Sequence, residues 1–187
     1  MGFWETITGR TKPVAAKMDA LFSLPAAAVT LETSASFRPT GRGAICVRGV
    51  EGPAFDATMR DVVALLDNDD DPDVEVTTDQ YGYTWLLARQ DDIGMLATDL
   101  HAVSTSLETQ GFSDKVLCAL VSFEDPSGRL LGLVYLYKQG TFYPFAPTGP
   151  QRRDNVLEIQ MRDLLRTDLP VEQDVSRWMA LWGAPGL

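Results

Sequence analysis

The sequence predicts an α+β protein in which helices pack on a sheet of antiparallel hairpins. Runs rich in β-branched and aromatic residues occur in neighbouring pairs, and short turn sequences join the members of each pair. Segments with apolar residues at helical spacing follow these pairs. The resulting order is α-ββα-ββα-βββ-αα. We expect one domain over residues 13–187, preceded by a basic and aromatic segment at residues 1–12.

The first half of the chain is predicted to hold two helices around one strand pair. Pro13 suits a helix start, and residues 13–23 form an amphipathic pattern that we expect Leu24 and Pro25 to end. The runs "AVTLET" and "GAICVRGV", separated by the turn-forming "RPTGRG", are predicted strands. The second helix is predicted to begin at Gly52-Pro53 and to stop at an acidic linker near residues 67–73.

The second half repeats this arrangement. "DVEVTTD" and "YGYTWLLAR" predict a hairpin, and the following helix, over residues 91–109, can be capped by Asp91 or Asp92. Strands are then predicted in "KVLCALVSFE", "RLLGLVYLYK" and "TFYPF". Pro144 places the last of these at a sheet edge, because proline has no N–H to donate. Two amphipathic helices, over residues 154–168 and 170–182, are predicted to close the chain.

The aromatic stretch "LVYLYKQGTFYPF" is the most hydrophobic part of the chain. Its side chains alternate about a Gln-Gly turn, which favours ordinary sheet construction over a ligand site. A groove for a partner peptide is the alternative interpretation, and it would require an exposed apolar patch.

The charge distribution excludes one large class of partners. The formal net charge of −10 argues against nucleic-acid binding, which depends on clustered Lys and Arg. Residues 1–48 nevertheless hold six basic residues against three acidic ones. The start of the sequence lacks the pattern of a signal peptide, and no apolar run approaches the ~18 residues that span a membrane. We therefore expect a cytoplasmic protein.

Residues that could carry catalysis or bind metal are few. His101 is the only histidine, and a Ser-His-Asp arrangement with Ser104 or Asp99 lacks the expected sequence context. Cys46 and Cys118 lie in separate apolar runs, which predicts neither a disulfide framework nor, together with His101, a zinc site. We therefore predict no cofactor and no metal.

Two groups of acidic residues raise the possibility of a functional site, one as a metal-binding loop and the other as a catalytic pair. "DNDDDPD" has Asp67, Asp69 and Asp71 at the calcium-loop positions, but Pro72 and Thr78 stand where that loop needs Gly and Glu. A solvated linker is the better interpretation. An enzyme that uses carboxylates such as those of Asp91 and Asp92 is the alternative to a binding protein, and it would require a pocket of convergent acids with raised pKa values.

The N-terminal segment is the candidate contact region. Phe3, Trp4 and Ile7 would share one face of a short helix, and Arg10 and Lys12 follow. This pattern suits the surface of an anionic membrane or a partner. The alternative is that the segment docks on the core of its own domain.

Several separate segments resemble one family. "MGFWETITGRTKP", "MDALFSLPAAAVTLE", "RPTGRGAICV", "FYPFAP" and "LPVEQDVSRWMALWGAPG" together resemble the PspAB family of PspA-associated proteins. The resemblance implies a cytoplasmic accessory of the phage-shock envelope-stress response, with PspA or an HtpX-type membrane protease as partner, and it carries over no catalytic residue. The order of elements also loosely resembles type III secretion chaperone-like domains. We predict a non-enzymatic adaptor that binds a protein partner.

Overall fold

The computed structural model describes residues 18–67 and 74–187. A 3-10 helix at Met18–Ser23 leads into the first α-helix. The α-helices are α1 (Leu24–Ala35), α2 (Pro53–Leu66), α3 (Ile93–Thr109) and α4 (Asn155–Leu165). The strands are β1 (Arg38–Arg48), β2 (Glu75–Thr78), β3 (Tyr83–Arg89), β4 (Val116–Glu124), β5 (Leu130–Leu136), β6 (Thr141–Phe145), β7 (Pro147–Gly149) and β8 (Arg152–Arg153). The fold is α+β, as the sequence predicts.

Six strands form one antiparallel sheet in the order β2-β3-β1-β4-β5-β6. The predicted hairpins β2-β3, β4-β5 and β5-β6 are present, and β1 pairs between β3 and β4 at the centre. Strand β6 ends the order, so the prediction that Pro144 marks an edge is confirmed. Strands β7 and β8 form a separate two-stranded ribbon just after this edge.

The helices bury one face of the sheet. Residues of β1 and β4 that point to this face, such as Ile45 and Val121, belong to one continuous core with the helices. Leu31 of α1, Leu100 of α3 and Met161 of α4 are buried in the same core. Asp92 and Asp154 cap α3 and α4 by accepting backbone N–H groups, which confirms the capping prediction for the helix after β3.

The opposite face of the sheet is covered by the end of the chain. Alternate residues along the strands, including Cys46, Trp85, Leu120 and Tyr143, form a second core on this side. Trp178 and Ala184 are buried in it, and Leu181, Trp182 and Leu187 pack against it. We call residues 174–187 the C-terminal strap. Apart from a single 3-10 turn at Val175–Arg177 the strap has no helix or strand.

The prediction for residues 24–33 was wrong. "AVTLET" is helical, and Leu24 and Pro25 begin α1 where we expected them to end a helix. Proline is tolerated in the first turn of a helix because its missing N–H has no intrahelical partner there. Ala27, Ala28 and Leu31 then continue the buried face that Leu24 begins. The strand pair predicted in this part of the chain is therefore a single strand, β1.

The helix predicted over residues 170–182 was also wrong. Residues 170–172 instead extend beside β6: the Phe142 N–H donates to the Pro170 carbonyl at 2.8 Å, and the Glu172 N–H donates to the Phe142 carbonyl at 2.7 Å. This pairing uses the Pro170 carbonyl, which would have accepted the first hydrogen bond of such a helix, and holds residues 170–172 extended. Two residues of the predicted buried stripe, Val175 and Met179, are exposed.

Candidate partner-binding surface

Aromatic side chains hold the C-terminal strap on the sheet. The Trp178 indole stacks on the Tyr143 ring with centroids 5.9 Å apart, and the Trp182 ring meets the edge of Phe145 at 5.2 Å. The Tyr143 hydroxyl donates to the Met179 carbonyl at 2.9 Å. Tyr143 and Phe145 are two residues apart in β6, so both rings point to the same face of the sheet. Each ring contacts one tryptophan of the strap.

Arg153 anchors the strap from β8. Its Nη1 donates to the Trp178 carbonyl at 2.9 Å, and its guanidinium lies 5.0 Å from the centroid of the Phe145 ring. Its Nε pairs with the carboxylate of Glu158 at 2.8 Å, and Glu158 also accepts the Ala146 N–H. Glu158 is buried, so this charge is stabilised by fixed donors rather than by water.

Glu172 organises the start of the strap. Its carboxylate accepts from the Asp174 N–H and the Thr141 hydroxyl, both at 2.9 Å, and pairs with Arg177 at 3.4 Å. Burial of the carboxylate disfavours its charged form, but these donors outweigh burial and hold the pKa of Glu172 below its ordinary value. The ionised form of Glu172 therefore fixes the turn that leads into the strap.

An apolar cleft of about 320 Å³ opens between the strap and the β7-β8 ribbon. Half-buried Leu181, Trp182 and Leu187 form its strap side. The remaining lining residues are Leu130, Pro147, Gly149, Pro150, Gln151 and Gly183. Gln151 has φ 53°, a left-handed conformation that turns the ribbon at the mouth of the cleft. Leu, Pro, Gly and Trp residues make up the lining apart from Gln151, so the cleft offers mainly hydrophobic contact.

Two exposed arginines lie near this cleft without lining it. Arg152 is exposed in β8 beside Gln151, and Arg42 lies next to the strap, where a Cβ on Gly186 would be 3.4 Å from the Arg42 Cβ. Within the described residues neither arginine forms an ion pair. An apolar cleft with exposed arginines nearby suits a ligand that has apolar and acidic groups, although Arg42 also faces the depression that holds Asp91 and Asp92.

The acids considered for catalysis line a different cleft. Asp91 and Asp92 border a polar depression of about 510 Å³ with Arg42 and Arg89. Asp92 is committed to the cap of α3, where it accepts the Met95 N–H at 2.9 Å, and Arg89 is paired with Glu75 at 3.0 Å. The depression therefore brings the two acids together with arginines, and one of the acids has a structural role.

Similarity to known proteins identifies the family of this chain. A family model described as PspAB, PspA associated protein B, matches residues 1–186. The chain belongs to the PspAB family. Neither the curated proteins nor the solved structures contain a significant match. The loose likeness to type III secretion chaperone-like domains therefore stays a prediction, whereas the resemblance to PspAB proteins is confirmed.

The other candidate residues of this PspAB protein lie apart. The His101 ring packs on Phe22 with centroids 5.0 Å apart, and its Nδ1 lies 3.5 Å from the Thr105 hydroxyl. Ser104 is buried and bonds to the Leu100 carbonyl and the Tyr137 hydroxyl instead of to His101. The described residues hold no group of three metal-ligating side chains.

The residues predicted to contact a membrane lie outside the described part of the chain. Phe3, Trp4, Ile7, Arg10 and Lys12 fall within residues 1–17, and most of the acidic linker falls within residues 68–73. Among the described residues no helix is long and apolar enough to cross a bilayer.

The cleft at the strap was missed from the sequence. The segments "APTGPQRR" and "WGAPGL", which line much of it, are rich in Gly and Pro, and no binding site was predicted in either of them. Their turn composition was a usable signal, because loops carried on a rigid scaffold often form binding sites. Only the fold brings the two segments together.

Proposed function

We propose that this PspAB protein is a non-enzymatic accessory protein of the PspA system that binds a protein partner at the cleft between the C-terminal strap and the β7-β8 ribbon. The family match over residues 1–186 carries the proposal, since the family is described by its association with PspA. That description makes PspA the first partner to test. An HtpX-type membrane protease is the other partner that we propose.

The cleft supports a particular kind of occupant. Leu181, Trp182 and Leu187 offer apolar surface, and the exposed arginines Arg152, next to Gln151 in the chain, and Arg42, beside Gly186, add positive charge nearby. An extended segment with one or two large apolar side chains and neighbouring Asp or Glu residues complements both features. A chain with a net charge of −10 would otherwise repel such an acidic segment, so the nearby arginines give specificity.

The proposed location follows from the partner. A protein that serves the PspA system would act in the cytoplasm, and contact of residues 1–12 with the inner face of the membrane would bring the protein close to membrane-bound partners. Phe3, Trp4 and Ile7 are apolar, and Arg10 and Lys12 are basic, so any such contact would be peripheral and reversible.

Calorimetric titration of the full chain with purified PspA from the same host tests the proposal. We expect Trp182→Ala to weaken binding by tenfold or more, because large aromatic anchors dominate interface energetics. Arg152→Glu should weaken binding several-fold and reduce its dependence on salt. Near-ultraviolet circular dichroism of each variant would report whether the fold is retained.

Matched controls come from the helical side of the protein. Arg60→Glu reverses the charge of an exposed side chain on α2, and Met95→Ala truncates an exposed apolar side chain on α3. Neither should alter PspA binding. Equal weakening by Arg60→Glu and Arg152→Glu would contradict the assignment to the cleft. Absence of binding to both PspA and an HtpX-type protease would contradict the accessory role itself.

A further inference from the structure

The fold places the two cysteines of the chain directly opposite each other. Cys46 in β1 and Cys118 in β4 are Cα partners in the register of the two central antiparallel strands. Directly opposed residues point to the same face of a sheet, and both side chains lie in the core beneath the strap side. They are 72 positions apart in the sequence, so their spacing gave no sign of this pairing.

The position of this pair suits a disulfide bond. Opposed residues in an antiparallel pair have Cα atoms about 4.5 or 5.5 Å apart, and both values lie in the range of about 4.4–6.8 Å that disulfides use. The ladder shifts register immediately after Cys46, at the step to Val47. Such a bulge gives the strands local freedom to adjust to a bond.

The surroundings favour the reduced state in the absence of an oxidant. Both thiols are buried, beside Trp85 and Leu120. A side-chain hydrogen bond with Cys118 that favours the protonated form of Cys46, together with burial, raises the pKa of Cys46 far above that of a free thiol. Because the thiolate is the reactive species, such a pair reacts slowly and only when the structure opens.

We propose that Cys46 and Cys118 are an oxidisable dithiol that forms an intrachain disulfide when the protein meets a peroxide. One thiolate attacks the peroxide, its sulfur becomes a sulfenic acid, and one water leaves. The second thiol then attacks that sulfur, an S–S bond forms, and a second water leaves. Two electrons pass from the thiols to the peroxide, and two equivalents of an external thiol, which become a disulfide, return the pair to the reduced state.

The disulfide would join the two central strands across a long segment of chain. The closed loop would contain α2, β2, β3 and α3. The bond would therefore lower the conformational entropy of the unfolded chain relative to that of the reduced protein. We expect the Tm of the oxidised protein to rise by at least about 5 °C relative to the reduced protein. The strands are already paired at this point, so the fold should change little.

Mass spectrometry of the full chain tests this site. The protein is treated with hydrogen peroxide, denatured, and alkylated with iodoacetamide. We expect a species 2 Da lighter than the reduced chain that takes up no label, a Cys46–Cys118 peptide in the digest, and recovery of two labels after dithiothreitol. Two alkylated thiols at every stage, or oxidation of one cysteine to a sulfinic acid without the linked peptide, would overturn the proposal.

Single variants supply the matched control. Cys46→Ala and Cys118→Ala each leave one thiol and remove the intrachain partner. Peroxide should then produce no linked peptide and no rise in Tm in either variant. A peroxide-dependent rise in Tm that persists in these variants would also overturn the proposal, because the rise could not come from this bond. The readouts involve no partner, so they succeed or fail independently of the function proposed above.

Discussion

The two faces of the sheet are buried by different means. On one face, α1, α3 and α4 pack on the sheet, and their backbone hydrogen bonds form within each helix. On the other face, the C-terminal strap has almost no regular structure and depends on side-chain contacts such as those of Trp178 and Arg153. The comparison indicates that stability is concentrated on the helical face, and that the strap face can adjust to a ligand at lower cost.

The cleft fits this division. It lies where the strap, whose regular structure is a single 3-10 turn, meets the β7-β8 ribbon. Binding surfaces tend to come from the less stable parts of a protein, since a ligand must be able to move them. The helical face gives the strap a rigid sheet to lie on.

The largest expected effect compares one aromatic residue from each face. Phe123 is fully buried on the helical face, and Phe123→Ala should lower the free energy of unfolding by about 3–5 kcal/mol. Trp178→Ala should cost less, about 2–3 kcal/mol, because the strap can close part of the cavity by moving. Urea denaturation of both variants measures the two values.

Amide hydrogen exchange shows which part of the protein each substitution destabilises. Trp178→Ala should raise exchange mainly in residues 174–187, whereas Phe123→Ala should raise it throughout the sheet. Met179→Ala is the control within the strap, because Met179 is largely exposed and its truncation should change stability by less than about 0.5 kcal/mol. If both aromatic variants lose the same free energy of unfolding and show faster exchange throughout the sheet, the two faces do not differ in stability.

Acid should loosen the strap through Glu172. The folded-state pKa of this carboxyl lies below its ordinary value of 4.5, so its ionised form contributes stability above about pH 4.5. That contribution is lost as pH falls through the folded-state value. Glu172→Gln should cost about 1–2 kcal/mol at pH 7 and reduce the stability lost between pH 5 and the acid limit.

Tryptophan fluorescence and denaturation at several pH values measure this effect. Trp178 donates its indole N–H to the Glu172 carbonyl at 3.2 Å, so its emission reports on the same turn. Glu51→Gln, at an exposed position, is the matched control and should leave the pH profile unchanged. Identical profiles for the parent protein and Glu172→Gln would remove Glu172 as the acid-sensitive anchor.

The smallest expected effect concerns residues 1–12, which belong to neither described face. Arg10 and Lys12 near an anionic membrane would contribute about 1 kcal/mol each, and Phe3, Trp4 and Ile7 would add weak apolar contact. Co-sedimentation with anionic liposomes should therefore be partial, weaker at high salt, and reduced when residues 1–12 are removed. Equal sedimentation of both forms would leave the alternative that the segment packs on its own domain.

Local patterns in the sequence predicted much of the fold. Helix α2 runs from Pro53 to Leu66 as expected, and α3 and α4 lie within their predicted ranges. The prediction of α1 failed because Pro25 can either end a helix or open one, and the sequence alone did not distinguish these. The prediction of a helix over residues 170–182 failed for a related reason. Trp178 and Trp182 have helical spacing, but any segment that packs aromatics on a sheet can show it.

The sequence by itself determined the α+β class, the main hairpins, the edge position of β6 and the family, because apolar periodicity, turn residues and family motifs are properties of the chain. Only the tertiary structure decided which distant groups meet. The pairing of Cys46 with Cys118 depends on strand register, and the cleft depends on two turn segments converging. The physical reason is that such contacts are fixed by the competition for backbone hydrogen bonds and buried surface across the whole chain, which no local pattern records.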